Sequence, residues 1–115
     1  MKENAIEYKG QKYEMVFDMN VIETLQNKYG SFNKWSDLVQ PTKKGVECNI
    51  EALKFGICEA LNEGIDIANE DREEKIDFLT LKKVGRIITD LGLKEVNEKV
   101  QNAVIESVKS EEKNA

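Results

Sequence analysis

The 115-residue chain contains no histidine. The commonest general base and the commonest metal ligand are therefore missing. Phosphate loops of the GxxxxGK(S/T) and GxGxxG kinds are absent, as is the GxSxG nucleophile elbow. No run approaches the roughly 20 apolar residues of a membrane span. Met1-Lys2-Glu3-Asn4 lacks an apolar signal region, so the chain is expected in the cytoplasm where it is made. Positive charge is in deficit, with 17 Lys and Arg against 22 Asp and Glu, a net charge of −5. Nucleic-acid binding draws much of its affinity from neutralised phosphates, and local pairs such as Lys43-Lys44 and Lys82-Lys83 do not supply it.

Cysteine is scarce as well. Cys48 and Cys58 stand ten residues apart on what reads as a single helix. At about 1.5 Å per residue they are about 15 Å apart. A disulfide needs Cα atoms within about 7 Å. Reduced thiols are expected, acting as small hydrophobes rather than nucleophiles, which suits a cytoplasmic chain.

What is present points to one domain. Hydrophobic residues make up 40% and charged residues 34%, enough for a single core over residues 1–115 without staples. Residues 6–17 read as a β-hairpin around Lys9-Gly10. Ile6 and Tyr8 share a face, as do Tyr13, Met15 and Phe17. The two sets coincide only across a loop with an even number of residues, either Lys9-Gly10 or Lys9 to Lys12. All later segments have helical period. The expected fold is α+β, an N-terminal hairpin packed on a mainly helical bundle of about five helices.

The first helix covers about 21–29, with Val21, Ile22, Leu25 and Tyr29 as its stripe. Asn20 reads as its N-cap with Glu23 at the capping-box spacing, and Asp18 is the other candidate. Gly30 stands at the C′ position. Ser31 caps a second helix over 32–39, whose apolar side is Phe32, Trp35, Leu38 and Val39, and Pro41 ends it. The third helix is expected over 46–63. Val46, Ile50, Leu53, Ile57, Ala60 and Leu61 form its stripe, with Cys58 at the margin. Phe55 and Cys48 project from another side, the pattern of a central helix. Gly64 reads as its stop. Residues 65–77 form an acidic connection whose second half has room for a helical turn. Thr80 caps a fourth helix over 81–91, with Leu81, Val84, Ile87, Ile88 and Leu91 in register up to Gly92. The fifth covers 94–108 with Val96, Val100, Ala103, Val104 and Val108 on one side, and Ile105 outside that stripe. Residues 110–115 are expected to fray.

Chemistry finds little purchase. Tested as an EF-hand from Asp66, the acidic connection has Ala68, Asp71 and Asp77 where Asp or Asn, Gly and Glu belong. It reads as a solvated loop. Among the many carboxylates no spacing singles out an acid–base pair. No catalytic, metal or cofactor residue is assigned, and a non-enzyme is expected. Trp35 has two readings. One makes it a cap on the core. The other makes Phe32, Trp35 and Leu38 an exposed anchor for a protein partner, since Trp is enriched at binding hot spots.

The order of elements carries one likeness. A hairpin runs through Phe17-Asp18-Met19-Asn20 into a helix ending at Tyr29-Gly30, followed by a short aromatic helix and a longer central one. From about Tyr8 to Leu91 this resembles the tail assembly chaperones of long-tailed bacteriophages and prophages of Gram-positive hosts. Gly10, Tyr13, Phe17, Asp18, Asn20, Leu25 and Gly30 carry the resemblance. Glu59-Ala60-Leu61-Asn62-Glu63-Gly64 and Thr80-Leu81-Lys82-Lys83-Val84-Gly85 add to it. All of these are structural: turn glycines, a cap and core positions.

The resemblance implies a non-enzymatic role in virion assembly, without a cofactor. Such chaperones bind the long tape-measure protein, keep it soluble and help bring tail-tube protein to it. They are not retained in the finished tail. In many phages a frameshifted longer form accompanies the short one. Self-association is compatible with this. Two other classes fit the residues as well: a small phage or bacterial regulator that binds a host protein, and a minor virion protein such as a head–tail connector.

Overall fold

A period-two pattern at the N-terminus pairs as a hairpin. A computed structural model describes residues 5–114, with side chains as far as Ser107. β1 (Ala5–Tyr8) and β2 (Gln11–Glu14) are antiparallel, with Ile6 opposite Tyr13 and Tyr8 opposite Gln11. The turn is the two-residue Lys9-Gly10. Lys9 (φ 50°) and Gly10 (φ 81°) both have positive φ, as a type I′ turn requires. Glycine takes that conformation freely, whereas Lys9 does so at some cost. β2 ends sooner than the alternation predicts. Beyond Glu14 the chain leaves the ladder and lies against the third helix, where Val16 N donates to Ala60 O at 3.1 Å. Met15 and Phe17 are fully covered there.

Five helices follow: α1 (Met19–Tyr29), α2 (Phe32–Val39), α3 (Ile50–Asn69), α4 (Leu81–Leu91) and α5 (Leu93–Asn114). The fold class is thus α+β, a hairpin on a helical bundle, as the periodicity indicated. The predicted cap of α1 needs correction. Asp18, not Asn20, holds the extended N-cap conformation, and its Oδ1 accepts from Val21 N at 3.2 Å. Asn20 lies inside the first turn, and its Nδ2 donates to Glu63 Oε2 at 3.0 Å. Gly30 (φ 96°) closes α1, its N–H donating to Gln26 O at 2.8 Å. α2 has the predicted bounds, and Ser31 Oγ accepts from Lys34 N at 3.0 Å.

α3 departs most from expectation. It begins at Ile50, capped by Asn49, and continues past Gly64 to Asn69. Val46 (53% exposed) and Ile50 (46% exposed) are therefore outside the core stripe that was expected to contain them. Cys48 lies before the helix rather than on it, so the spacing argument against a disulfide fails although both thiols are free. The helical part of 65–77 is its first half, which completes α3, and not its second. Gly64 does not stop the helix because it serves packing. A Cβ there would stand 2.2 Å from Glu14 O, so the strand backbone can cross α3 only at a glycine.

α3 is central, as a helix with apolar residues on two sides should be, touching α1, α2, α4 and β2. Its own side chains hold the irregular segment that follows. Asn62 takes both backbone groups of Leu79, accepting at 2.7 Å and donating at 3.0 Å. Asn69 does the same to Ile76, at 2.9 and 3.0 Å. Seven residues apart on α3, the two amides share a face and replace the strand partners this segment lacks.

α4 starts at Thr80, whose Oγ1 accepts from Lys83 N at 3.1 Å. Val84, Ile87 and Ile88 are buried, while Leu81 is 47% exposed and does not join them. α5 buries Val96, Val100 and Ala103, and leaves Ile105 half-exposed. Ser107 Oγ donates to Phe17 O, tying α5 back to the β2–α1 junction. The helix expected to end at 108 continues to Asn114, so residues 110–114 are helical where fraying was expected, while the Val108 side chain and Ala115 lie outside the described residues.

Candidate functional site

The aromatic anchor predicted on α2 is mostly core. Trp35 is 0% exposed, and its Nε1 donates to Ala52 O at 2.8 Å. Phe17 and Phe32 each pack on it with ring centroids 5.5 Å away. The indole lies directly on α3 at Gly56, where a Cβ would come within 2.2 Å of Trp35 Cζ2. An interior tryptophan needs a partner for its N–H and room for its rings, and both are supplied. Phe32 is half-buried against it, and Leu38 is the most exposed of the three at 37%. The expected anchor of Phe32, Trp35 and Leu38 is corrected on this point: its centre is sealed inside the protein.

Exposed apolar surface lies elsewhere. Met19, Val46, Ile50, Phe78, Leu81 and Leu93 are all more than 40% exposed. Two of them, Ile50 and Leu93, flank an open groove of about 860 Å³ between the start of α3 and α4. Ile88 and Tyr8 add apolar surface to its walls. Lys54 stands on the α3 side, and Lys82 and Arg86 on the α4 side, with Asp90 as the carboxylate among them. Gly85 lines the α4 side as well. The nearest atoms to a Cβ at Gly85 would be the end of the Lys54 side chain, Cε at 3.3 Å and Nζ at 3.5 Å. Lys82 and Arg86 are one helical turn apart and form a single row.

A second, smaller hollow of about 350 Å³ lies where α1 meets α3 and is acidic, lined by Glu59, Glu63 and Asp66. The carboxyl of Glu63 is held above its ordinary pKa, chiefly by a hydrogen bond shared with Asp18 that favours the protonated form. The bond from Asn20 opposes this, while desolvation and the charges of Asp18 and Asp66 reinforce it. Among the described residues no group of three His, Cys, Asp or Glu side chains is placed to hold a metal ion. Burial pushes both the Cys48 and Cys58 thiols up, and the Glu59 charge adds to the effect at Cys58. Thiols so shifted are poor nucleophiles. Cys58 instead touches Leu79 O at 3.6 Å beside the Asn62 clasp.

Gly10, Phe17, Asp18 and Gly30 hold the turn, the core, the cap and the helix stop respectively. Asn20 holds α1 to α3 through Glu63. Gly56 escaped the sequence reading, and Gly85 entered it only as part of a helix start, without a role of its own. A glycine inside a helical pattern was the available signal, since it costs stability unless something needs the space. No helix among the described residues is long and apolar enough to cross a membrane. No protein-family model, curated protein or solved structure matches the chain.

Proposed function

We propose that this protein is a tail assembly chaperone of a long-tailed bacteriophage or prophage, working without catalysis in the bacterial host cytoplasm. It binds the tape-measure protein, keeps it soluble and assists tail-tube assembly around it. The observation that carries the binding role is the set of large apolar side chains left outside a filled core, Ile50 and Leu93 beside the groove above all. Exposed apolar side chains gathered at one groove supply the chemistry of a protein contact. The resemblance from about Tyr8 to Leu91 supplies the identity of the partner. A tape measure is a long helical chain rich in apolar surface. A net charge of −5 on its cover would help keep the complex dispersed.

The test is co-expression with the very long gene product encoded next to this chain. The long protein should appear in the soluble fraction and elute with this chain from a size-exclusion column. Equal solubility with and without the chain, and no shared peak, would defeat the proposal. Recovery of the chain from purified virions would favour a structural or connector role instead. Binding to a host protein in place of the tape measure would favour a regulator.

A further inference from the structure

We infer that the groove between α3 and α4 receives an amphipathic helix whose apolar stripe is flanked by carboxylates. The inference rests on the protein-binding reading but not on the identity of the partner. Three observations carry it. The groove is open to solvent and its lining includes the exposed apolar residues Ile50 and Leu93, as suits a helix face better than an enclosed small molecule. Its charge runs against the rest of the chain. Lys54, Lys82 and Arg86 face Asp90 alone in a protein of net charge −5. Among the described residues none of these three cations has an ion-pair or hydrogen-bond partner. Cations from α3 and α4 beside exposed apolar side chains complement an apolar ridge flanked by acidic residues.

The third observation is Gly85. A glycine inside a helix lowers its stability relative to alanine. Gly56 and Gly64 are required by the Trp35 rings and the Glu14 carbonyl. At Gly85 a methyl group would meet only the flexible end of Lys54. No part of this protein's core needs the space. It lines the groove, and a side chain of a docked helix reaches the α4 backbone there once the flexible end of Lys54 swings towards the helix's carboxylates.

The probe is a synthetic helical peptide of about 18 residues with leucine at i, i+3, i+4 and i+7 and flanking glutamates. Its control carries lysine in place of glutamate. Fluorescence anisotropy should show the acidic peptide binding at least about tenfold more tightly than the basic one. Amide shifts on titration should centre on Ile50, Lys54, Gly85, Arg86 and Leu93. The double variant Lys54→Glu, Arg86→Glu, with its circular dichroism unchanged, should reverse the preference. Gly85→Leu should weaken both peptides by filling the groove.

Equal affinity for the two peptides, or shifts centred elsewhere, would overturn the inference. So would displacement of the peptide by inorganic phosphate at low millimolar concentration, which would make the groove an anion site. A dimer dissolved by the charge-reversal pair would place a second copy in the groove and exclude the acidic helix. The two readings fail separately. A tape-measure complex untouched by the double variant sinks the groove inference and leaves the chaperone standing. Selective peptide binding without any tape-measure complex does the reverse.

Discussion

Two faces of the central helix treat the same residue type in opposite ways. Where α3 meets α2 and β2, Gly56 and Gly64 let an indole and a strand carbonyl come into contact with the helix. Across the α3–α4 face, Gly85 makes room that only the flexible end of Lys54 lies over, and no core side chain uses it. The first face buries Trp35 completely and satisfies its N–H. The second leaves Ile50 and Leu93 exposed and its cations unpaired among the described residues. The first face draws stability from close packing, whereas the second leaves apolar side chains in contact with water.

The largest effect should come from emptying the filled face. Trp35→Ala removes the rings and the bond to Ala52, and should cost about 3–5 kcal/mol in urea denaturation. Ile50→Ser on the open face should stay within about 0.5 kcal/mol. If the two losses were alike, the contrast between the faces would not hold.

The glycines sharpen the comparison through the sign of the change. Gly56→Ala pushes a methyl group into the indole and should cost about 1–3 kcal/mol. Gly85→Ala should raise stability by about 0.5–1 kcal/mol, since the helix gains propensity and only the end of Lys54 must move. Thermal unfolding of both variants reads the two signs directly. A loss at Gly85 would mean that its space is needed by the fold.

At the junction feeding the filled face, Asp18→Ala should cost about 0.5–2 kcal/mol as a lost cap. Asn20→Ala gives up a single exposed bond to Glu63 and should cost less than about 0.5 kcal/mol. The reverse order, measured by denaturant titration, would put the cap back at Asn20.

The smallest effect concerns charge. The Glu63 carboxyl is held above its ordinary pKa, so its favourable contribution is present below the unfolded carboxylate value. It is lost as pH rises through the folded value. The charges of Asp18 and Asp66 oppose the ionised form of Glu63. Glu63→Gln should therefore stabilise the protein at pH 7, by about 0.2–1 kcal/mol as for exposed charge pairs. The gain should shrink as the pH falls through the carboxylate range. A gain independent of pH would show that charge is not its origin.

Some of this was legible in the chain and some was not, for local reasons. α2 was placed to the residue because Ser31 and Pro41 bracket it with backbone chemistry that acts within a turn. The even-numbered hairpin loop followed from matching the faces of Ile6 and Tyr13, and the register agrees. The cap of α1 was misplaced because Asp18 and Asn20 both carry cap-forming side chains, two residues apart. Asp18 takes the cap, and Asn20 instead engages Glu63, forty-three residues further on. Trp35 was legible as an apolar helix position but not as interior or anchor, since its burial depends on Gly56 across the α2–α3 contact. The groove had no signal of its own, because Lys54 and Arg86 belong to different helices.

Periodicity and local chemistry by themselves determined that a hairpin precedes helices, where most of those helices lie, and that the familiar signatures of metal and nucleophile chemistry are missing. These depend on interactions that span a few residues, so any arrangement of the chain would keep them. Tertiary structure alone decided that Gly64 is a crossing point rather than a stop, that Trp35 faces inward, and that three cations gather beside an apolar strip. Each of these arises when segments distant in sequence approach, and a side chain's neighbours across such an approach are not encoded in its spacing along the chain.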